Sequence, residues 1–395
     1  MANPMTQIAA VTSMNLRSLP QRFWTSAATV VAVALVTAVL LGFLALANGF
    51  QATLSGTGTD DVAIAVREGS SGELNSVLSR EQLQLIAEAP GIARGADGQP
   101  SVSGELYVVV DGKRRSTGKK GNLPFRGIGP KALETRQNIT ITAGRMFTPG
   151  LAEIVVGKGL VQQFEGFDLG ATVHLGKTDW KIVGVFDAGG SAFESELWAD
   201  IALLQSVYNR GSSVQTVRMK LTSPDALKQV QAYSRKETRL KLDVDSERAF
   251  YASQTGGISD LIFYLGWPLA IAMSFGALAG ALNTMYASVD SRMREIATLR
   301  AIGFGGLPAF CGTMAEALVL AGLGGLVGAV AVYLAFDGLS AATLGGGFTQ
   351  VVFAIKLSPA LVLQGVILAL VIGFIGGFFP ALRAARAPLL AAFRA

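Results

Sequence analysis

The run FWTSAATVVAVALVTAVLLGFLALANGFQATLSGTGT, from Phe23 to Thr59, contains no charged residue. Crossing about 30 Å of hydrocarbon takes ~20 predominantly apolar residues in a helix. Residues Thr25–Ala47 of this run meet that condition, and so do Leu261–Met285, Leu307–Phe336 and Leu357–Leu382. The predicted fold class is therefore a membrane protein, with four transmembrane α-helices and one large extracytoplasmic α+β domain, 50–260, between the first two spans. Ala45-Leu46-Ala47 has the look of a cleavage site, but a signal h-region covers only ~7–15 residues. The first run is expected to stay as a span.

Charge supplies the orientation. Between Asp60 and Asp260 there are 24 acidic and 24 basic residues, leaving 4 acidic and 9 basic elsewhere, so the net +5 belongs to the membrane part. Arg17 and Arg22 precede the first span; Arg292, Arg294 and Arg300 lie between the second and third; Arg383, Arg386 and Arg394 follow the fourth. Lysine and arginine are retained on the cytoplasmic side. Both termini and the 286–306 segment are thus expected in the cytoplasm, with 50–260 periplasmic or extracellular and the chain multi-pass in the inner (plasma) membrane. The sole cysteine, Cys311, lies in a span, so no disulfide is expected.

The large domain reads as mixed α and β. Val62–Val66 is a strand; Ser79 with Gln82 three residues on forms a capping-box pattern, opening a helix to about Ala89. Val102–Val110 is the next strand, completing a β-α-β unit. A similar unit follows: strand Val214–Leu221, a helix begun by Ser223-Pro224-Asp225 and running to about Lys236, then strand Leu240–Val244. An insert, about 111–211, separates the two units and carries short strands at Ile139–Thr142, Glu153–Val156, Thr172–Leu175 and Trp180–Phe186.

Several chemistries are excluded or weak. The Lys113-Arg114-Arg115 and Lys119-Lys120 cluster reads as a solvated hairpin tip, with anionic headgroups as the alternative. Its Gly112–Lys120 stretch fails as a phosphate loop, because the glycines are too far apart and no Ser or Thr follows the lysine. His174 is the only histidine, so neither a triad nor a zinc site with Cys/His ligands is expected. The chain does not read as an enzyme, and its basicity does not point to nucleic acid.

The strongest local signal is Ser288–Phe304, SVDSRMREIATLRAIGF. Val289, Met293, Ile296 and Leu299 recur at helical spacing and make one apolar stripe. Asp290 and Arg294 are placed for an i,i+4 pair worth ~0.2–0.5 kcal/mol, and Gly303 reads as the stop. Such a helix could lie on the membrane surface or dock in a partner's groove; periodicity does not separate the two.

This stretch resembles the linker of the FtsX-like or MacB-like ABC transporter permease family, with Arg294-Glu295-Ile296 and Arg300-Ala301-Ile302-Gly303 carrying its Arg-Glu-Ile…Arg-Ala-Ile/Leu-Gly pattern. Leu16-Arg17-Ser18-Leu19, Gly144-Arg145-Met146-Phe147 through Gly157, Val183-Gly184-Val185-Phe186 and Pro380–Arg386 are similar to other parts of the family. The resemblance implies a porter-like β-α-β subdomain with an inserted β-rich subdomain, and a coupling helix at 288–304. It assigns ATPase coupling to Arg292, Arg294, Glu295, Ile296, Leu299, Arg300 and Gly303, with Arg294 and Glu295 facing the ATPase. Implied partners are a cytoplasmic ABC ATPase dimer on separate chains, a second permease copy (identical or homologous), membrane lipid and, for export, a periplasmic adaptor protein. The chain itself binds no cofactor, ATP and Mg belonging to the ATPase.

Glu316 is the one acidic residue inside a span, where an ionised carboxylate costs about 2.5 kcal/mol or more at the bilayer centre. It is expected to face a neighbouring helix or the dimer interior. Gly276/Gly280, Gly324/Gly328 and Gly373/Gly377 have the small-xxx-small spacing of close helix pairs. The function expected is a permease subunit moving a hydrophobic, lipid-like or peptide substrate by mechanical coupling. The alternative is a regulatory scaffold that activates an extracytoplasmic enzyme such as a cell-wall hydrolase.

Overall fold

The computed structural model describes residues 4–136, 138–254, 256–336, 340–344, 350–355 and 357–387. In chain order, α1 (Pro4–Arg17) and a 3-10 turn at Leu19–Arg22 lead into α2 (Phe23–Ser55). Then come β1 (Val62–Arg67), α3 (Arg80–Ala87), β2 (Val102–Arg114), β3 (Lys120–Ile128), β4 (Thr140–Gly144), β5 (Glu153–Gly157), α4 (Lys158–Gln163) and β6 (Phe164–Glu165). They are followed by β7 (Thr172–Leu175), β8 (Thr178–Asp187), β9 (Leu197–Asp200), α5 (Ile201–Val207), β10 (Thr216–Lys220), α6 (Leu227–Lys236), β11 (Leu242–Ser246) and α7 (Glu247–Ser253). The last elements are α8 (Gly256–Ser291), α9 (Met293–Ala301), α10 (Gly306–Phe336), the hairpin β12 (Ser340–Leu344) and β13 (Gln350–Ala354), and α11 (Pro359–Ala385).

Two compact units result. A helical unit comprises 1–47, 261–337 and 356–395, and an α/β unit comprises 48–260 with 338–355. The hairpin between α10 and α11 therefore belongs with the α/β residues, where the sequence suggested only a short link.

In the α/β unit the strand order is β11-β1-β10-β2-β3-β9-β5-β8-β4. The two β-α-β units interleave: β10 separates β1 from β2, and β1 separates β10 from β11, all antiparallel. This is the split β-α-β arrangement. Its core sets Ala63, Ala65, Val217 and Met219 of the sheet against Ile86 of α3 and Val230 of α6. The capping box at Ser79 forms, with Gln82 returning to the Ser79 N–H. Ser223 makes no side-chain cap; the chain there begins as a 3-10 turn, Pro224–Ala226, before α6.

β2 is longer than its apolar centre suggested, and it serves both halves of the unit. Val102–Met219 to Glu105–Thr216 pairing lies on its first half, and Leu106–Gly127 to Lys113–Lys120 pairing on its second. The second half builds the insert's core, where Phe125, Trp180, Ile182 and Leu197 are buried. β3, β9 and α5 went unread in sequence: β3 has Gly, Pro and Arg breaking its alternation, and β9 is only four residues long. Val352 of β13 joins this core, and Phe353 meets Phe50 edge-on at 5.6 Å.

Among the described residues, four helices are long and apolar enough to cross a membrane: Leu19–Ser55, Tyr264–Ser291, Gly306–Phe336 and Pro359–Ala385. The last begins two residues after Leu357 because Ser358 accepts the Leu361 N–H and Pro359 fits the first turn. α10 and α11 approach on glycine: a Cβ at Gly373 would lie 2.3 Å from the Ala321 Cβ, and one at Gly377 2.4 Å from that of Ala317. Gly324 and Gly328 pack likewise on α2, against Val33 and Ala34. Gly276 and Gly280 of α8 face open space.

Candidate functional site

The Ser288–Phe304 segment is two pieces rather than one helix. α8 runs on to Ser291, the backbone turns at Arg292 (φ −108°, ψ 7°), and α9 covers Met293–Ala301. Asp290 and Arg294 thus stand on different helices, and Asp290 reaches Arg383 at 3.0 Å. At the far end Gly303 adopts φ 103°, a conformation glycine alone takes cheaply, and the Phe304 N–H closes on the Leu299 carbonyl at 3.0 Å.

The apolar stripe is already occupied by this chain. Val289, Ile296 and Met293 pack with Ala309 of α10 and with Ala384 and Ala387 at the end of α11. Leu299 lines a cleft with Val11, Met14 and Pro308, whose free volume of about 10 Å³ is barely room for one water. Arg300, half-buried, donates to the Ala387 carbonyl at 2.5 Å. What remains exposed on α9 is Arg294, Glu295, Thr298 and Ala301, with Ile302 just beyond it.

Arg292 does not share that exposed face. Its side chain is 5% exposed and donates to Glu316 Oε2 at 2.9 Å and to Asn15 Oδ1, while its Nε lies 3.5 Å from Glu295 Oε2. Glu316, 3% exposed at its side chain, also accepts from Ser288 Oγ at 3.1 Å. Ser288 in turn receives Arg22 at both its carbonyl and its hydroxyl, at 3.0 and 2.9 Å. Five segments (α1, the turn before α2, the end of α8, the start of α9 and α10) therefore meet on one buried ion pair. A buried charge needs its partner and further hydrogen bonds to be tolerated, and here each has them.

The part Asn15, Arg22 and Ser288 play at this pair is not legible in the sequence, since their partners lie up to 277 residues away. One signal was available: Val11 and Asn15 share a face of α1, and both are buried against Gly312 of α10, where a Cβ would come within 3.0 Å of each. Lys113, Arg115 and Lys120 pair with Glu165, Asp168 and Asp111 at a β2–β3 hairpin tip. His174 is exposed and bonds Asp179.

An apolar helical unit with a packed elbow between its second and third long helices, joined to a two-part α/β unit, puts the protein in the class of membrane permeases. The MacB-like periplasmic core domain matches residues 26–236, and the FtsX-like permease C-terminal domain matches 268–389. The chain belongs to the MacB-like, FtsX-like family of ABC transporter permeases. It is 24% identical over 407 residues to the macrolide export ATP-binding/permease protein MacB of Azoarcus sp. strain BH72, covering 97% of this chain and 59% of that one. To the pyoverdine export ATP-binding/permease protein PvdT of Pseudomonas entomophila it is 22% identical, covering 91% and 56%. The chain thus spans about three-fifths of the length of the curated relatives it matches. The periplasmic region of MacB from Actinobacillus actinomycetemcomitans is similar at 14% identity and a TM-score of 0.36, over 48% of this chain and 90% of that structure. The extracellular domain of YknZ is similar at 15% and 0.34, over 45% and 93%.

Proposed function

We propose that this permease is driven by ATP hydrolysis at an ABC ATPase on the cytoplasmic side, and that α9 is the surface that receives it. The observation that carries this is the division of α9 into two faces. One is packed onto the ends of α10 and α11 and locked through Arg292 to Glu316; the other presents Arg294, Glu295 and Thr298. A push on the exposed face then moves the ends of the spans instead of bending a loose linker. Both termini and α9 are cytoplasmic in this reading, with the α/β unit outside the inner membrane. ATP and Mg stay on the partner.

Arg294 and Glu295 contact the ATPase; Arg292, Ile296, Leu299, Arg300 and Gly303 hold α9 in place for it. The open face at Gly276 and Gly280 supports pairing with a second permease copy. The work done outside acts on a hydrophobic, lipid-like or peptide substrate, delivered to or taken from a periplasmic adaptor where export is the outcome. The test is Glu295→Lys in the reconstituted permease with its ATPase: stimulation of ATP hydrolysis is lost while the permease stays folded. Retained stimulation refutes the assignment of α9.

A further inference from the structure

The α/β unit contains a buried ionic cluster that spans both of its halves. Arg126 of β3 donates to both oxygens of Glu196 (2.6 and 2.8 Å), to Glu73 (2.7 Å) and to Glu105 (3.0 Å). Arg136 grips Glu105 through both terminal nitrogens, at 2.5 and 2.6 Å. Arg218 of β10 faces Glu105 at 3.2 Å, pairs with Glu247 of α7, and donates to the Tyr251 hydroxyl at 2.6 Å, which donates on to Glu73 at 2.9 Å. All three arginines and all four glutamates are buried. Glu105 sits on β2 at the point where pairing passes from β10 to β3, so the cluster joins the two halves of the unit.

Among the described residues, bonds from the cluster or its immediate neighbours run to the chain just after α2, to the helix before α8 and to the α10–α11 hairpin. Glu247 accepts the Thr59 N–H at 3.3 Å, just after α2, and lies in α7, the helix before α8. Thr57 Oγ1 accepts the Ala192 N–H at 2.8 Å. Ala192 opens the short turn that ends at Ser195, the residue before Glu196. Ser195 Oγ accepts the Val352 N–H of the α10–α11 hairpin at 2.8 Å. Buried charge is poor value for stability alone, since apolar side chains of the same volume often serve as well. Its directional bonds do fix several segments at set angles at once.

We infer that Glu105, Arg126, Arg218, Glu247 and Tyr251 form a transmission node: displacement arriving through any span connection is delivered to both halves of the α/β unit together. These are positioning residues, and the inference rests on the permease reading above. On it, the hairpin between the third and fourth spans is a third driving arm beside the connections from α2 and α8.

The test is hydrogen exchange of the full chain in lipid nanodiscs, without any ATPase, comparing wild type with Glu247→Gln. Exchange is expected to rise at least tenfold together at 57–60, 190–197 and 351–355, though 351–355 touches Glu247 nowhere in the bonds above. The β7–β8 hairpin, 172–187, stays protected and reports that the unit is folded. A rise confined to 57–60 and 247–253 overturns the inference. If Glu247→Gln does not fold, Tyr251→Phe removes only the hydroxyl between Arg218 and Glu73; an increase of about threefold at the same three segments is expected, and a purely local one again overturns it. A wild-type chain that fails to stimulate its ATPase defeats the permease reading without touching this result.

Discussion

Replacing Arg292 by alanine strands Glu316 as an unpaired carboxylate, 3% exposed at its side chain, inside the helical unit. It also removes the donor to Asn15 and the link to Glu295. Taking one partner from a buried ion pair costs about 3–5 kcal/mol. For a unit of this size each kcal/mol shifts the midpoint by roughly 2–4 °C, so thermal unfolding in detergent falls by roughly 6–20 °C. Arg294→Ala, two residues on at an exposed position, stays within about 0.5 kcal/mol. The double variant Arg292→Met/Glu316→Leu removes both charges and recovers most of the loss, because apolar replacement of a buried pair is often neutral or stabilising. Equal midpoints for Arg292→Ala and Arg294→Ala, or a double variant as unstable as the single, refute the claim that the elbow is held by this pair.

Gly373→Val forces a side chain onto Ala321 and should destabilise α10–α11 packing by about 1–3 kcal/mol, read as a lower unfolding midpoint. Gly276→Ile, facing open space, should leave the single chain within about 0.5 kcal/mol while lowering the cross-linked dimer yield. Burial alone would raise the Glu105 pKa, but Arg136, Arg218 and Arg126 outweigh it and hold it at about 2. A depressed carboxylate gives stability that is full above its ordinary pKa, near 4.5, and is lost as pH falls toward 2. Fluorescence of Trp198, whose Nε1 donates to Glu196 beside this cluster, should show unfolding set in below about pH 4.5 and no loss between pH 5 and 8.

The spans and most strands were legible because each is a local pattern: an uncharged run, an alternation, a capping box at Ser79. The interleaving of the two β-α-β units was not, since β10 pairs across more than a hundred residues and nothing in Thr216–Lys220 encodes its neighbours. The site was half legible. Periodicity found the stripe on α9 and the glycine that ends it. The family resemblance grouped Arg292 with Arg294; the turn at Arg292 buries the first side chain and leaves the second exposed. Glu316 stood out as a charge in a span, whereas Asn15 and Ser288, which help satisfy that buried pair, are ordinary residues until the fold assembles them.

In the proposed function, ATP consumed beneath the membrane moves the α/β unit outside it. Spin labels placed through cysteines at Lys177 in paired permease copies, with the ATPase cycled between nucleotide-free and ATP-trapped states, measure this directly. The inter-label distance is expected to shift on trapping, and the shift to disappear in Glu295→Lys. Hydrolysis stimulated by the permease with the distance unchanged, or cysteines at Lys177 labelled from the cytoplasmic side, contradicts it.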